Sequence, residues 1–195
     1  MTVKRRPVDP RPGDYLAKLL HRRGAESGAS WFVSASELER ATEILWAQVE
    51  QDWAQIHDLP PEAAPPQFII CPTMLLAAAT IENSLKGICV SREPALDKNG
   101  AFRLKTHKLL DLFDRIKFQL SADELDLVER LEVFLEWAGR YPVPLTHHSM
   151  LPRTHPSGGF GSLTYRLGSD REVWHRLVRR LDELLESLLS RAGAP

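Results

Sequence analysis

The first polar cluster whose spacing suits chemistry is formed by Glu82, Asn83 and Lys86. Glu82 and Lys86 are four residues apart, so on a helix they lie on one face and can form an ion pair. Two interpretations are open. The pair could be a surface ion pair beside an apolar stripe, or it could belong, with Asn83, to a polar binding patch in a groove between helices.

The second cluster is basic and precedes a run of leucines. Its basic residues are Arg103, Lys105, His107 and Lys108. His107 stands four residues before Asp111, so the carboxylate could orient the imidazole while the basic side chains contact phosphates. The alternative is a histidine at a helix N-terminus that makes only a local hydrogen bond.

A third pair, Arg140 and His147, has six residues between its members. An arginine can grip a phosphate with its forked guanidinium, and a histidine can transfer protons near neutral pH. Pro142 and Pro144 prevent a regular helix between them. The alternative is therefore an arginine that ends a helix at its negative dipole, followed by a histidine in an exposed loop.

Other chemistries have weaker support in the sequence. His147, His148 and His155 share one loop, but no compact metal-binding motif such as His-Glu-x-x-His is present. The glycines over 158–161 match neither the Walker pattern nor the dinucleotide-binding pattern. We expect no metal and no cofactor.

Length and composition indicate a globular protein of one domain. The chain has 195 residues and a formal net charge of −1, so any contact with a nucleic acid must be local. We predict a flexible basic tail over 1–12, without the apolar region of a signal peptide, and one domain over 13–195. No stretch approaches the roughly 20 apolar residues that span a bilayer.

The two cysteines, Cys71 and Cys89, lie on one predicted helix. Eighteen positions correspond to about 27 Å along a helix axis, which is too far for a disulfide. Both cysteines flank apolar residues, so we predict buried, reduced thiols in a cytoplasmic protein.

Apolar periodicity predicts a nearly all-α protein built around a helical bundle. The predicted helices cover 15–23, 36–57, 72–92, 107–119, 121–139 and 169–190. A loop over 24–30, a proline-rich linker over 60–66 and a long irregular loop over 140–168 separate them, with a short strand predicted at 162–167. Asp14 and Thr106 are predicted helix caps, and capping boxes are predicted at Ser36/Glu39, Ser121/Glu124 and Ser169/Glu172.

The order of motifs over 72–144 resembles prokaryotic proteins of the HEPN superfamily. It comprises Glu82-x-x-Leu85-Lys86-Gly87, then His107-x-Leu109-Leu110-x-Leu112, then a Ser121-capped helix ending Trp137-Ala138-Gly139-Arg140-Tyr141-Pro142. The resemblance implies an up-and-down bundle of four to five helices that is commonly a homodimer, here with additional N- and C-terminal helices.

HEPN domains include metal-independent ribonucleases of toxin–antitoxin and other defence systems, and inactive members that bind RNA or nucleotides. Active members carry an Arg followed, after four to six residues, by a His, a pattern that Arg140 and His147 match. The resemblance thus implies a non-catalytic or weakly catalytic module that binds RNA, a nucleotide or a partner protein in a defence or stress response. The alternatives are a metal-independent endoribonuclease that uses Arg140 and His147, and a structural or oligomerisation protein.

Overall fold

The computed structural model describes residues 13–56, 59–60, 68–141, 153–154, 160–161, 166 and 168–192. Over these ranges the chain is all-α, as predicted, and its helices pack as a bundle. The helices are α1 (Asp14–Glu26), α2 (Gly28–Ile56), α3 (Ile70–Arg92), α4 (Leu109–Ile116), α5 (Ala122–Val133) and α6 (Asp170–Ala192). A π-helical turn, Phe134–Ala138, continues α5.

A two-stranded antiparallel ladder joins β1 (Arg153–Thr154) and β2 (Phe160–Gly161), with Arg153 opposite Gly161. It lies within the long loop predicted over 140–168. The strand predicted at 162–167 and most of the proline-rich linker lie outside the described residues.

The sequence prediction for the first two helices is wrong at their junction. The predicted loop over 24–30 does not exist, because α1 runs to Glu26 and α2 begins at Gly28. Ser27 alone separates them, and its Oγ accepts a hydrogen bond from the Ser30 N–H at 3.2 Å. The predicted capping box at Ser36 is also wrong, since Ser36 lies inside α2 and donates to the Phe32 carbonyl at 3.0 Å.

Caps explain where the later helices begin. At α5 the predicted box is confirmed: the backbone N–H of Ser121 donates to Glu124 Oε2 at 2.9 Å. α4 begins at Leu109, two residues later than predicted, and Thr106 is not its cap. Instead, Glu132 reaches across from α5 and accepts the Leu110 N–H at 3.2 Å.

α3 is the central helix, and the apolar core forms around it. Buried residues of α2, α4, α5 and α6 join those of α3 in one contiguous cluster. Trp46 of α2 and Trp174 of α6 meet edge to face, with ring centroids 4.6 Å apart. The Trp174 indole N–H donates to the Ala77 carbonyl of α3 at 3.0 Å, which satisfies a polar group in the core.

Two glycines let α2 and α3 approach closely. A Cβ added to Gly87 would lie 3.1 Å from Cβ of Trp31 and 3.0 Å from Leu185, and one added to Gly28 would lie 2.1 Å from Oγ of Ser91. This crossing brings the start of α2 over the last turns of α3, beside Lys86.

The thiol prediction is half right. Cys89 is buried, and its burial raises the pKa of the thiol. Cys71 is exposed, because it lies in the first turn of α3, where the helix emerges from the core.

Candidate functional site

Glu82 and Lys86 form an ion pair within α3, as their spacing predicts, but the pair is buried rather than on the surface. Only 10% of the Glu82 side chain and 7% of the Lys86 side chain are exposed, and the Lys86 ammonium contacts Glu82 Oε1. Two opposite charges held away from water make a preorganised polar centre beside the apolar core.

His107 completes this centre from a distant part of the chain. Its Nδ1 lies 3.0 Å from Glu82 Oε1 and 3.3 Å from Glu82 Oε2. Because a carboxylate accepts, Nδ1 donates, and Nε2 is the ring nitrogen left for a ligand. His107 has a side chain that is 60% exposed, so it connects the buried pair to solvent. We call Glu82, Lys86 and His107 the Glu82 cluster.

An aromatic pair covers the other side of the Glu82 cluster. Trp31 of α2 and Phe102 stack with centroids 5.5 Å apart and an interplanar angle of 15°. Lys86 Nζ lies 6.0 Å from the centroid of each ring, within the range of a cation–π interaction. The rings therefore shield the ammonium and hold the chain at residue 102 against α2.

The segment over 103–108, which we call the basic segment, follows Phe102 directly. Its cationic side chains, Arg103, Lys105 and Lys108, are all exposed. None of the three forms an ion pair in the part of the chain that the structure describes. Arg103 donates one hydrogen bond, to the Pro94 carbonyl at 3.5 Å, which leaves its charge without a carboxylate partner among the described residues.

The loop before the basic segment is tied down by Asp97. Its Oδ1 accepts the backbone N–H groups of Ala101, at 2.9 Å, and of Asn99, at 2.8 Å. These hydrogen bonds lower the pKa of Asp97, and the charges of Lys105 and Arg103 add to the effect. A bridge between Leu96 and Phe102 closes the loop, so the chain is anchored immediately before the basic segment.

Asn83 and Asp111 stand apart from the Glu82 cluster. Asn83 Nδ2 donates to the Ala79 carbonyl of its own helix at 2.8 Å. Asp111 is exposed in the first turn of α4, and His107 bonds to Glu82 rather than to Asp111. The predicted orienting role thus passes from Asp111 to Glu82.

Arg140 lies just after the π-helical turn. Its guanidinium donates to the Glu136 carbonyl at 3.0 Å and also to the Leu135 carbonyl. This arrangement matches the alternative in which the arginine ends a helix at its negative dipole. His147 lies outside the described residues.

Sequence reasoning missed a buried charge network between α5 and α6. Arg130 donates to both carboxylate oxygens of Asp170, each at 2.6 Å, and to Asp126 Oδ2 at 3.1 Å. The only local signal was the four-residue spacing of Asp126 and Arg130. Arg166 also reaches Asp126, at 2.8 Å, so the network fixes the start of α6.

The described ranges contain neither a metal-binding group nor a membrane-spanning helix. No group of three or more His, Cys, Asp or Glu side chains there is placed to hold a metal ion. None of the helices described has the length and apolar character needed to cross a membrane.

The chain has no significant match among protein-family models, curated proteins or solved structures.

Proposed function

We propose that this protein is a HEPN-like, cytoplasmic module that binds single-stranded RNA without cleaving it, through the basic segment and the Glu82 cluster. The observation that carries the proposal is that Arg103, Lys105 and Lys108, which are exposed and form no ion pair among the described residues, share one short segment with the exposed imidazole of His107. A phosphate chain can follow these donors over six residues of protein.

Phosphate contacts supply most of the affinity in sequence-independent RNA binding. The chain carries a net charge of −1 overall, so only a local patch can do this. The basic segment is such a patch, and its anchors keep the charges in place before the ligand arrives.

The Glu82 cluster has a supporting role in the proposal. Glu82 holds Nδ1 of His107 at 3.0 Å, so the ring presents Nε2 toward a phosphate or a base edge. Lys86 pairs with Glu82 in a buried place, and the aromatic pair keeps Lys86 from reaching solvent.

Arg140 favours binding over cleavage. Two main-chain carbonyls engage Nη2 of its guanidinium and hold the arginine against the end of the π-helical turn, where it interacts with the negative end of the helix dipole. The endoribonuclease hypothesis with Arg140 and His147 is therefore second, and the structural-protein hypothesis is third.

The test is fluorescence anisotropy of a labelled single-stranded RNA, in EDTA, at several salt concentrations. Three phosphate contacts predict a slope of log K against log salt of about −2, at roughly 0.7 per contact for single strands. Reversing two charges, with Lys105→Glu and Lys108→Glu together, should weaken binding at least about ten-fold and reduce the slope to about −1.

The matched control reverses two exposed arginines of α6, Arg179→Glu and Arg191→Glu, which lie outside the proposed site. Absence of RNA binding at low salt, or an equal loss in this control, contradicts the proposal. RNA cleavage in EDTA that His147→Ala abolishes would favour the endoribonuclease instead. If a free nucleotide displaced the labelled RNA with the same affinity as unlabelled RNA does, the ligand would be a nucleotide and not RNA.

A further inference from the structure

α1 carries large apolar side chains that are exposed to solvent. Of the eight large apolar side chains that are exposed among the described residues, four belong to the first two turns of this helix, with exposed fractions from 40% to 80%: Tyr15, Leu16, Leu19 and Leu20. None of the 13 residues of α1, all of which the structure describes, is buried. Contiguous apolar surface of this kind marks a site of interaction. We call these four residues the α1 patch.

α1 is attached to the rest of the chain at its other end. Arg22 and Glu26, in its last two turns, line a cleft with the loop over 94–100. The indole N–H of Trp31 in α2 donates to the Ala25 carbonyl at 3.2 Å. The α1 patch lies toward the N-terminal end, before these contacts, so it is accessible to a large surface.

The chain around the α1 patch is basic, whereas the remainder is acidic. Residues 1–26 contain seven lysines and arginines and three acidic residues, a formal charge of +4, and residues 27–195 carry −5. A negatively charged surface therefore attracts this end of the molecule and repels the remainder. The basic residues stand on both sides of the patch in the sequence, with one inside it: Lys4, Arg5, Arg6 and Arg11, then Lys18, then Arg22 and Arg23.

Arg23 is placed to extend the α1 patch with a charge. It stands three residues after Leu20 and four after Leu19, so it lies on the same face of α1. Among the described residues it forms no ion pair. Lys18 differs, since it pairs with Asp14 at 2.6 Å, but that pair is exposed and contributes little in water. The apolar face thus ends at a cation that a phosphate can contact.

The pattern of α1 fits a bilayer surface better than a groove in a partner protein. A helix that docks in a groove places apolar anchors at i, i+3 or i+4, and i+7. Seven positions after Leu16 stands Arg23, so the apolar face does not continue beyond two turns. A bilayer surface accepts a short apolar face beside cations, because the acyl region takes up the apolar side chains while lipid phosphates meet the charges.

We infer that α1 docks on the surface of an anionic phospholipid bilayer, lying in the interface without crossing it. The three leucines of the α1 patch enter the boundary between headgroups and acyl chains, and Tyr15 lies at the level of the headgroups. Arg23 and the basic residues that precede α1 meet the lipid phosphates. Since four side chains bury a modest area, binding is reversible and weakens with salt. This inference is independent of RNA binding.

Vesicle flotation of the full chain, without RNA, tests the inference. One set of vesicles contains roughly equal parts of phosphatidylcholine and phosphatidylglycerol, and the other contains phosphatidylcholine alone. Binding to the anionic vesicles should be at least about ten-fold tighter, because each basic residue near an anionic surface contributes roughly five-fold. High salt should remove most of this difference, since it screens the charges.

The apolar part of the contact is tested by Leu16→Ala with Leu20→Ala. This variant should bind the anionic vesicles at least about ten-fold more weakly, because each buried methylene contributes roughly four-fold. Alanine is the strongest helix former, so α1 should persist, and circular dichroism should show unchanged helicity. The matched control, Val33→Ala with Ile44→Ala, shortens two exposed apolar side chains of α2 and should leave binding unchanged.

The electrostatic part is tested by Lys18→Gln with Arg23→Gln. This variant should bind the anionic vesicles at least about five-fold more weakly and leave binding to phosphatidylcholine unchanged. Its matched control, Arg179→Gln with Arg191→Gln, removes two exposed positive charges from α6 and should bind like wild type.

Four outcomes overturn the inference. Wild type could fail to float with anionic vesicles, bind both vesicle types equally, keep its affinity in the Leu16/Leu20 variant, or lose as much affinity in the matched controls. Self-association that the Leu16/Leu20 variant abolishes, without vesicle binding by wild type, would make the α1 patch a protein contact instead. Loss of RNA binding in the Lys105/Lys108 variant with intact vesicle binding would concern the proposed function, and not α1.

Discussion

Replacing Glu82 by glutamine should destabilise the protein more than its small change of shape suggests. Glu82→Gln leaves the Lys86 ammonium in a place where only 7% of its side chain meets water. Removing one partner of a buried ion pair costs roughly 3–5 kcal/mol, because the other charge is left uncompensated. We expect Glu82→Gln to lower the free energy of unfolding by about 3 kcal/mol, the low end of this range, because water can reach the site beside the exposed imidazole of His107.

Lys86→Met should cost less than Glu82→Gln. The remaining Glu82 carboxylate still accepts a hydrogen bond from His107 Nδ1 at 3.0 Å, so it keeps one polar partner. We expect about 1–2 kcal/mol. The double variant, Glu82→Gln with Lys86→Met, buries no charge and should lose only about 1 kcal/mol, so the two changes are coupled by at least 2 kcal/mol or so.

The assay is urea unfolding of all four proteins, followed by circular dichroism and by tryptophan fluorescence. Thermal unfolding gives a second readout: for a chain of this size 1 kcal/mol corresponds to roughly 2–4 °C, so Glu82→Gln should lower Tm by about 6–12 °C. A coupling free energy below about 0.5 kcal/mol would refute the reasoning, because it would mean that water already screens the pair.

Two further predictions concern other charged groups. Burial and the charge of Glu39 raise the pKa of Asp182 from 3.8 to about 6. The folded protein then holds this proton more tightly than the unfolded chain, so stability falls as pH rises from about 4 to about 6. Asp182→Asn should therefore raise the free energy of unfolding by about 1 kcal/mol at pH 7, after allowance for the screening of a half-exposed group, and should leave it unchanged near pH 4. An equal increase at both pH values in urea unfolding would contradict this prediction. Arg130→Met leaves the buried Asp170 without its guanidinium partner and should cost about 3–5 kcal/mol, against about 0–1 kcal/mol for Arg115→Met at an exposed pair; similar urea midpoints for the two variants would count against the buried network.

Helices whose signals are local were predictable. The apolar stripes of α3 and α6 repeat over many turns, and the predicted bounds of 72–92 and 169–190 differ from the observed ones by at most two residues. The first turns of α2 were not predictable, because glycine and serine there favour a loop. Gly28 packs against α3, and Trp31 stacks on Phe102, so contacts distant in sequence stabilise this helical start.

The sequence predicted the contact between Glu82 and Lys86, but it did not predict that this ion pair is buried. Helical spacing gave the contact of Glu82 with Lys86. The pair is buried because the chain around Phe102 folds over α3. The apolar periodicity of α3 alone cannot predict that cover, since it comes from a different part of the chain. The contact of His107 with Glu82 spans 25 residues, so no local pattern encodes it. Helical spacing instead predicted Asp111 as the partner of His107.

The hydrogen bond from Trp174 to Ala77 joins residues 97 positions apart, across the deepest part of the core. α6 is the last helix of the bundle to leave a ribosome, and its buried leucines cover α3 only after the other helices have been made. The nascent chain must therefore hold α2 to α5 with one side of α3 open to water. At roughly 5–20 residues per second, residues 93–170 alone take about 4–16 s to synthesise. During that interval the uncovered face of α3 is the part of the molecule most open to aggregation or to a chaperone.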